Sequence, residues 1–192
     1  MSISAKRAGR LAGRKALITD GDRGLGREVS LAFAREGADL AISYRDGDPD
    51  AAETTGALAR AAGARVALLA GDLGDEGVCG DIVDRAASHL NGLDAVVMIE
   101  RVARSNLSTL RWLSQAALSH LRAGSAIIVT SPLAMSSVMA PALLRRMNRR
   151  GIRMHPIAPD FATDRRARLT DIYVELAAEP TRPRTTPLGR KQ

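Results

Sequence analysis

The residues best suited to chemistry lie in one short stretch, Thr19-Asp-Gly-Asp-Arg-Gly-Leu-Gly26. It follows an apolar segment and opens a segment with helical periodicity. Glycines at such a place let backbone N–H groups approach a phosphate closely, and the first turn of a helix adds partial positive charge. The stretch therefore predicts a site for a phosphate-containing ligand. The alternative is a tight strand-to-helix turn that binds nothing.

Other kinds of reactive centre find little support in the sequence. The single cysteine, Cys79, cannot form a disulfide within the chain. His89, His120 and His155 have no neighbours at the spacing of metal ligands. We therefore predict neither a metal site nor a disulfide.

The composition is that of a folded protein in an aqueous compartment. The chain has 192 residues, of which 45% are hydrophobic and 26% charged, which suits one domain. Apolar runs such as 95–99 are far shorter than the roughly 20 residues of a membrane-spanning helix. The basic N-terminus leads into no apolar signal-peptide core. We expect no membrane association and a cytoplasmic location.

The net charge of +7 is unevenly distributed. Residues 141–192 carry 12 Lys and Arg and 5 Asp and Glu, so this quarter holds the whole excess. A basic surface can bind nucleic acid, but five aromatic residues in the chain are too few for a base-stacking platform. Nucleic acid is therefore not an expected partner.

The elements that must position the glycine stretch alternate along the chain. Strands are predicted at 16–19, 40–43, 66–69, 95–99 and 126–129, each followed by a helical segment. The first helix places Leu25, Val29 and Phe33 on one face and ends at Gly37. Continuous apolar strands that alternate with helices favour an α/β fold with a doubly wound parallel sheet.

The later helices are placed by caps and apolar stripes. Asp50 and Glu53 predict a capping-box start for the second helix, and the third helix is expected over 75–90. The fourth helix has the stripe Leu107, Leu110, Leu113, Ala117, Leu118 and Leu121.

Beyond Pro132 the pattern weakens, because prolines interrupt it. We expect a helix over 142–150, an edge strand over 151–157, and a last helix over 164–178 that groups Leu169, Ile172, Tyr173 and Leu176. This gives one nucleotide-binding domain over 1–178 and a flexible Pro/Arg-rich tail over 179–192.

The glycine stretch resembles that of the short-chain dehydrogenase/reductase family, which carries Thr-Gly-x-x-x-Gly-x-Gly in this place. The run from Leu17 to Arg27 is similar to the Ile-Thr-Gly-Gly-Asp-Ser-Gly-Ile-Gly-Arg signature of a reductase subgroup. The resemblance continues at Gly71-Asp72-Leu73, at Leu93-Asp94, at 151–153 with 158–159, and at Pro187-Leu-Gly-Arg190.

The resemblance implies a Rossmann-like domain and an NAD(P)-dependent oxidoreductase whose substrate is a small carbonyl compound. It implies that the cofactor is held by Thr19, Gly21, Arg23, Gly24, Leu25, Gly26, Arg45, Asp72 and Leu73. In this family the aspartate equivalent to Asp72 contacts the adenine.

Two departures bear on the cofactor. The family's first glycine is Asp20 here, which places a carboxylate beside the expected pyrophosphate, although Asp tolerates unusual φ better than most residues. Arg23 partly offsets this charge, and Arg45 follows the second strand, where a 2′-phosphate would lie. The two arginines favour NADP over NAD, with solvated loop arginines as the alternative. We expect NADP binding to be weak or lost.

The family's catalytic Ser and Tyr-x-x-x-Lys set is absent. Tyr and Lys at i and i+4 share a helix face, so the ammonium lowers the pKa of the phenol, which then acts as the acid. Here Asp48 follows Tyr44 at that spacing, and Ala177 follows Tyr173. We therefore assign no catalytic residue, and Tyr173 is the only rival acid.

The surroundings of the missing set also differ from the family. Pro132, beside Ser131, aligns with the catalytic serine, and the family's Asn-Asn-Ala-Gly is Met-Ile-Glu-Arg at 98–101. The chain is shorter than family members by roughly one helix before Leu107 and again before Gly151. It also stops soon after Arg190. The resemblance implies a domain truncated at its C-terminal end and no tetramer of the usual family kind.

The sequence therefore leaves open whether the chain is an enzyme. One hypothesis is an oxidoreductase-like protein with a degenerate NADP(H) site and without the family's catalysis. The alternatives are an active NADPH-dependent carbonyl reductase with other catalytic residues, and a noncatalytic nucleotide-binding or interaction protein.

Overall fold

The computed structural model of the protein describes residues 9–45, 49–99, 107–130, 141–158 and 166–179. Strands and helices alternate along these ranges. The strands are β1 (Lys15–Ile18), β2 (Asp39–Tyr44), β3 (Val66–Ala70), β4 (Leu93–Ile99), β5 (Leu121–Thr130) and β6 (Arg153–Ile157). The helices are α1 (Gly24–Arg35), α2 (Pro49–Ala61), α3 (Glu76–Leu90), α4 (Leu107–Ala117), α5 (Pro141–Arg149) and α6 (Arg166–Ala178).

The described strands form one parallel sheet in the order β3-β2-β1-β4-β5-β6. The chain first builds outward from β1 through β2 to β3, then crosses back to β4 and builds the other way. Ile18 pairs with Ile42 on one side and with Val97 on the other. Ligands of open α/β sheets bind at such a reversal, beyond the carboxyl ends of the strands. The predicted doubly wound α/β fold is confirmed, and it is Rossmann-like.

Strand alternation divides the core into two layers. Leu17, Val96 and Ile127 point to the layer covered by α3, α4 and α5. Ile18, Val97 and Ile128 point to the layer covered by α1 and α6. Both faces of the central strands are therefore buried, as their continuous apolar runs predict. Proline in β6 also lies where expected, because β6 pairs with β5 alone among the described strands.

Three local predictions are wrong. The helix α2 begins at Pro49, which suits a first helical position because proline lacks the N–H, so Asp50 lies inside the helix and not at its cap. Leu121 starts β5 opposite Leu93, because a turn after Ala117 ends α4. Ile172 is 37% exposed, and Val174 is buried instead.

The fold does not decide two further predictions, that of a flexible tail and that of a cytoplasmic location. The proposed tail lies outside the described residues except for Glu179. None of the helices in the described ranges is both long and apolar enough to cross a membrane.

Candidate functional site

The turn between β1 and α1 lies at the reversal point of the sheet and has a left-handed backbone at two positions. Asp20 has φ of 47° and Gly24 has φ of 51°. Asp is among the few residues other than glycine that adopt this region at modest cost. Asp20 therefore adopts an unusual φ of the kind that Asp tolerates better than most residues.

Gly26 fixes how closely α1 approaches the turn. A Cβ at Gly26 would lie 2.1 Å from the carbonyl oxygen of Asp20, so no side chain fits there. Gly21 is similarly confined, since a Cβ would lie 2.8 Å from Ile42 Cγ2. At Gly24, in contrast, no described atom lies within 4 Å of the Cβ position. The turn is thus closed toward the protein and open on its outer side.

Hydrogen bonds hold this shape from inside. The buried Ser30 hydroxyl lies 2.8 Å from the carbonyl oxygen of Gly26 and 3.3 Å from that of Gly21. The Thr19 hydroxyl accepts a bond of 2.9 Å from the Ile99 N–H, while the Thr19 N–H donates to Val97. Thr19 therefore joins the ends of β1 and β4, where the sheet reverses.

The first turn of α1 keeps its partial positive charge. Arg23 is the N-cap residue in extended conformation, and its side chain makes no capping hydrogen bond. No acidic side chain lies in the first helical turn. Leu25 packs half-buried against the core, so the N–H groups of this turn are held at a fixed place. A helix N-terminus of this kind attracts anions.

Asp22 and Arg23 form an ion pair on the turn. The Arg23 Nε lies 2.6 Å from the Asp22 Oδ2, with the Asp22 side chain 2% exposed and that of Arg23 39% exposed. The carbonyl oxygen of Asp22 accepts a bond of 3.0 Å from the Thr55 hydroxyl of α2. The turn is thereby fastened to α2.

The remaining predicted residues stand at the ends of β2 and β3. The Arg45 guanidinium lies 4.0 Å from the Asp72 carboxylate, a contact between exposed groups that is worth at most about 1 kcal/mol. Asp72 also accepts a bond of 3.1 Å from the Gly74 N–H. The carbonyl oxygen of Leu73 accepts bonds from Thr109 and Cys79, so its backbone is committed to α3 and α4.

Backbone bonds connect these groups into one edge. The Gly21 N–H donates to Ser43 over 3.1 Å, and the Gly71 N–H donates to Tyr44 over 3.0 Å. The turn, the end of β2 and the end of β3 therefore form a continuous surface that carries every one of the nine residues predicted to hold the cofactor. We call this surface the cradle. Their role in binding stays a prediction.

The ends of β5 and β6 look different. Tyr173 on α6 is fully buried, and its hydroxyl is hydrogen-bonded to the Thr130 hydroxyl at the end of β5. Burial raises the pKa of Tyr173 to about 12. The phenol is therefore a weaker acid than a free tyrosine, contrary to what a rival catalytic acid needs. Glu100, Arg101, Ser131 and Pro132 lie outside the described residues.

Several contributing residues escaped the sequence analysis. Asp22 looked like one more polar loop residue, and nothing local showed that its carboxylate is buried. Thr55 is 33 positions from the carbonyl it binds. Of these residues, only Ser30 could have been found from the sequence, because it is a polar residue next to Val29 on the inward face of α1. Within the described ranges, no cluster of three or more His, Cys, Asp or Glu side chains could hold a metal ion.

Comparison with known proteins assigns the chain to a family. The family model described as enoyl-(acyl carrier protein) reductase matches residues 20–151. The uncharacterized oxidoreductase YhxD of Bacillus subtilis (strain 168) is 33% identical over an alignment of 190 residues that covers 81% of this chain and 64% of the relative. The chain belongs to the short-chain dehydrogenase/reductase family.

Two further comparisons agree with this assignment. General stress protein 39 of the same Bacillus strain is 33% identical over 192 residues, covering 80% of this chain and 65% of that protein. A short-chain dehydrogenase from Burkholderia cenocepacia J2315, solved in complex with NADP, superposes with a TM-score of 0.70 at 25% identity, covering 90% of this chain and 93% of the other. The chain spans somewhat less than two thirds of the length of these curated relatives.

Proposed function

We propose that the cradle binds NADP(H) weakly, and that the chain does not reduce carbonyl compounds by the family's Tyr and Lys mechanism. The observation that carries this proposal is the backbone of the turn. Left-handed Asp20 and Gly24, together with the tight approach of Gly26 to Asp20, leave the first turn of α1 open on its outer side. A pyrophosphate fits such an opening.

The preference for NADP over NAD rests on two arginines. Arg23 belongs to the turn and Arg45 follows β2, and the two segments are joined by the bond between Gly21 and Ser43. Guanidinium groups bind a phosphate monoester through paired N–H donors, and this group is what distinguishes NADP from NAD. The related Burkholderia structure contains NADP.

Weak binding follows from the charge at Asp20. A carboxylate about 5 Å from a phosphate would cost about 3 kcal/mol at an effective dielectric constant of 20, and less where water screens it. The left-handed backbone preserves the shape of the turn, but it does not remove this charge. The cradle is thus sterically suitable and electrostatically imperfect.

Bound NADPH would supply a hydride, and a carbonyl reduction also requires a proton donor. In the described residues the phenol near the end of β5 is buried, bonded to Thr130 and raised in pKa. No lysine stands four residues after either tyrosine in the sequence. We therefore assign the chain's own residues to binding and orientation, and none to proton transfer.

Calorimetric titration with NADP⁺ tests the binding part of the proposal. We expect Asp20→Gly to tighten binding about tenfold, because it removes the carboxylate while glycine accepts the left-handed backbone. Asp81→Asn is the matched control, since it removes one exposed carboxylate on α3 whose ion pair is with Arg85 of the same helix, and it should leave the affinity unchanged. Equal or weaker binding by the glycine variant would contradict the proposal.

We also expect the chain not to form the family's usual tetramer. Its α4 has 11 residues and its α5 has 9, so each presents little surface to a partner. Analytical ultracentrifugation over a range of concentrations tests this. A discrete, tight tetramer is the contrary result.

A further inference from the structure

The carboxylate of Asp22 is the most deeply buried charged group of the cradle, and the family resemblance gives it no role. Its side chain is 2% exposed, whereas the Asp72 side chain is 66% exposed. A buried carboxylate is costly unless it is paired, and Arg23 Nε supplies the partner at 2.6 Å. The contact is short, as expected for a charge-assisted bond.

The backbone around Asp22 is held on both sides. The Thr55 hydroxyl binds the Asp22 carbonyl oxygen, and the preceding Gly21 N–H binds Ser43 on β2. Thr55 is itself fully buried. The backbone that carries the carboxylate is therefore fixed, and the carboxylate in turn orients the arginine that it binds.

An arginine bound through Nε has a defined plane. The guanidinium is rigid and planar, so one short bond to Nε fixes the direction of the two terminal nitrogens. The Arg23 side chain is 39% exposed, so solvent reaches the ion pair. The strand end that carries Arg45 is tied to the same turn two residues earlier, at Ser43.

We infer that Asp22 is a positioning residue that sets the preference for NADP over NAD by orienting Arg23 toward the 2′-phosphate. This inference rests on the proposed function of the cradle. It goes further in naming the residue that makes one loop arginine selective. A mobile arginine would lose side-chain entropy on binding a phosphate, and the pairing to Asp22 removes much of that loss in advance.

Asp22 has a second, opposite effect that the experiment must separate. Its negative charge repels every phosphate of a dinucleotide, so its removal should strengthen NAD and NADP binding together. The pyrophosphate is common to both ligands, and only NADP has the 2′-phosphate. Relief of the repulsion on the 2′-phosphate raises the preference for NADP, whereas loss of positioning lowers it. A fall in the ratio of the dissociation constant of NAD⁺ to that of NADP⁺ therefore reports the positioning effect.

The test is calorimetric titration of the full chain with NADP⁺ and with NAD⁺, for the wild type, Asp22→Ala, Asp22→Asn, Arg23→Ala and the double variant Asp22→Ala/Arg23→Ala. We expect the preference for NADP⁺ to fall about tenfold in Asp22→Ala. It should fall less in Asp22→Asn, which keeps an acceptor oxygen for Nε. In the Arg23→Ala background, Asp22→Ala should cause no further fall in the ratio.

The controls distinguish positioning from a loss of structure. Asp81→Asn should leave both affinities and their ratio unchanged, and thermal melting confirms that each variant is folded. If Asp22→Ala unfolds, the comparison of Asp22→Asn with the wild type still decides the direction of the ratio. A lowered preference for NADP⁺ over NAD⁺ in this variant supports the inference.

Three results overturn it. One is an unchanged ratio in both Asp22 variants when Arg23→Ala lowers it. Another is a fall in the ratio that persists in the Arg23→Ala background, which would mean that Asp22 acts otherwise than through Arg23. The third is a wild type that binds NAD⁺ as tightly as NADP⁺. A wild type that binds neither dinucleotide contradicts the proposed function itself, and this outcome is distinct from the other three.

Discussion

The two halves of the carboxyl edge of the sheet use polar residues in opposite ways. At the ends of β1, β2 and β3, polar groups shape an opening: Asp20 takes a left-handed backbone, and Arg23 and Arg45 are half-exposed. At the end of β5, Thr130 and Tyr173 bind each other and are buried. The arginines of the first half are thus reached by solvent, whereas the described hydroxyl pair of the second half is buried.

The difference follows from how each half is specified. The turn needs a few residues within eight positions, so one replacement such as Asp20 is tolerated if its backbone conformation is accessible. A proton-transfer site needs side chains from several elements at matched positions and pKa values. A turn of this kind therefore tolerates a single replacement more readily than a proton-transfer site does.

The largest expected effect is on the turn. Gly26→Ala should reduce the free energy of unfolding by at least about 3 kcal/mol and abolish nucleotide binding, because the new Cβ would lie 2.1 Å from a backbone oxygen. Gly80→Ala on α3 is the control, since no described atom lies near its Cβ position, and it should stabilise by about 0.5–1 kcal/mol. Urea denaturation measures both. Similar behaviour of the two variants would contradict the close-packed turn.

The second effect concerns pH. The phenol of Tyr173 has its pKa raised to about 12 in the folded protein, whereas an unfolded tyrosine titrates near 10. The folded state therefore binds this proton more tightly, so the contribution to stability is complete below about pH 10 and is lost as pH rises toward 12. Two pKa units correspond to about 2.7 kcal/mol.

Urea denaturation at about pH 9 and about pH 12 checks this sign. The wild type should lose more stability over this interval than Tyr173→Phe. Burial also raises the pKa of Cys79 to about 12, so both proteins retain the loss due to that thiol. Equal losses in the wild type and the variant would show that the phenol is not buried.

The smallest effect concerns the hydroxyl pair at neutral pH. Tyr173→Phe leaves the buried Thr130 hydroxyl without its partner and should cost about 1–2 kcal/mol. Thr130→Val should cost a similar amount for the same reason. The double variant should cost less than the sum, since neither partner is then left unsatisfied. Additive costs measured by denaturation would mean that the two hydroxyls do not interact.

The fold could be predicted from the sequence because its signals are local and repeated. Apolar strands at regular spacing indicated the parallel sheet, and the helix expected over 75–90 agrees with α3, which Asp75 and Asn91 cap. The predicted bounds were less accurate where a residue fits both the helical and the strand pattern. Leu121, for example, fits a helical stripe and also begins a strand. Ile172 fits the stripe of α6 but lies at its exposed margin.

The site could be predicted only in part. The positions of Thr19, Gly24 and Gly26 follow from the motif, because glycine spacing encodes the turn directly. The bond from Thr55 to the Asp22 carbonyl oxygen spans 33 positions, which no short window of sequence contains. The raised pKa of Tyr173 likewise depends on how α6 packs against β5.

The most direct test of the account is NADPH oxidation by Asp20→Gly in the presence of aldehydes, ketones and quinones. This variant is chosen because tighter binding ensures that a negative result does not reflect an empty site. We predict no oxidation above the rate without protein at saturating NADPH, because a general acid contributes about 10²–10⁴-fold and the described residues offer none at the opening. Turnover would contradict the account, and turnover that disappears on adding Tyr173→Phe would identify Tyr173 as the acid.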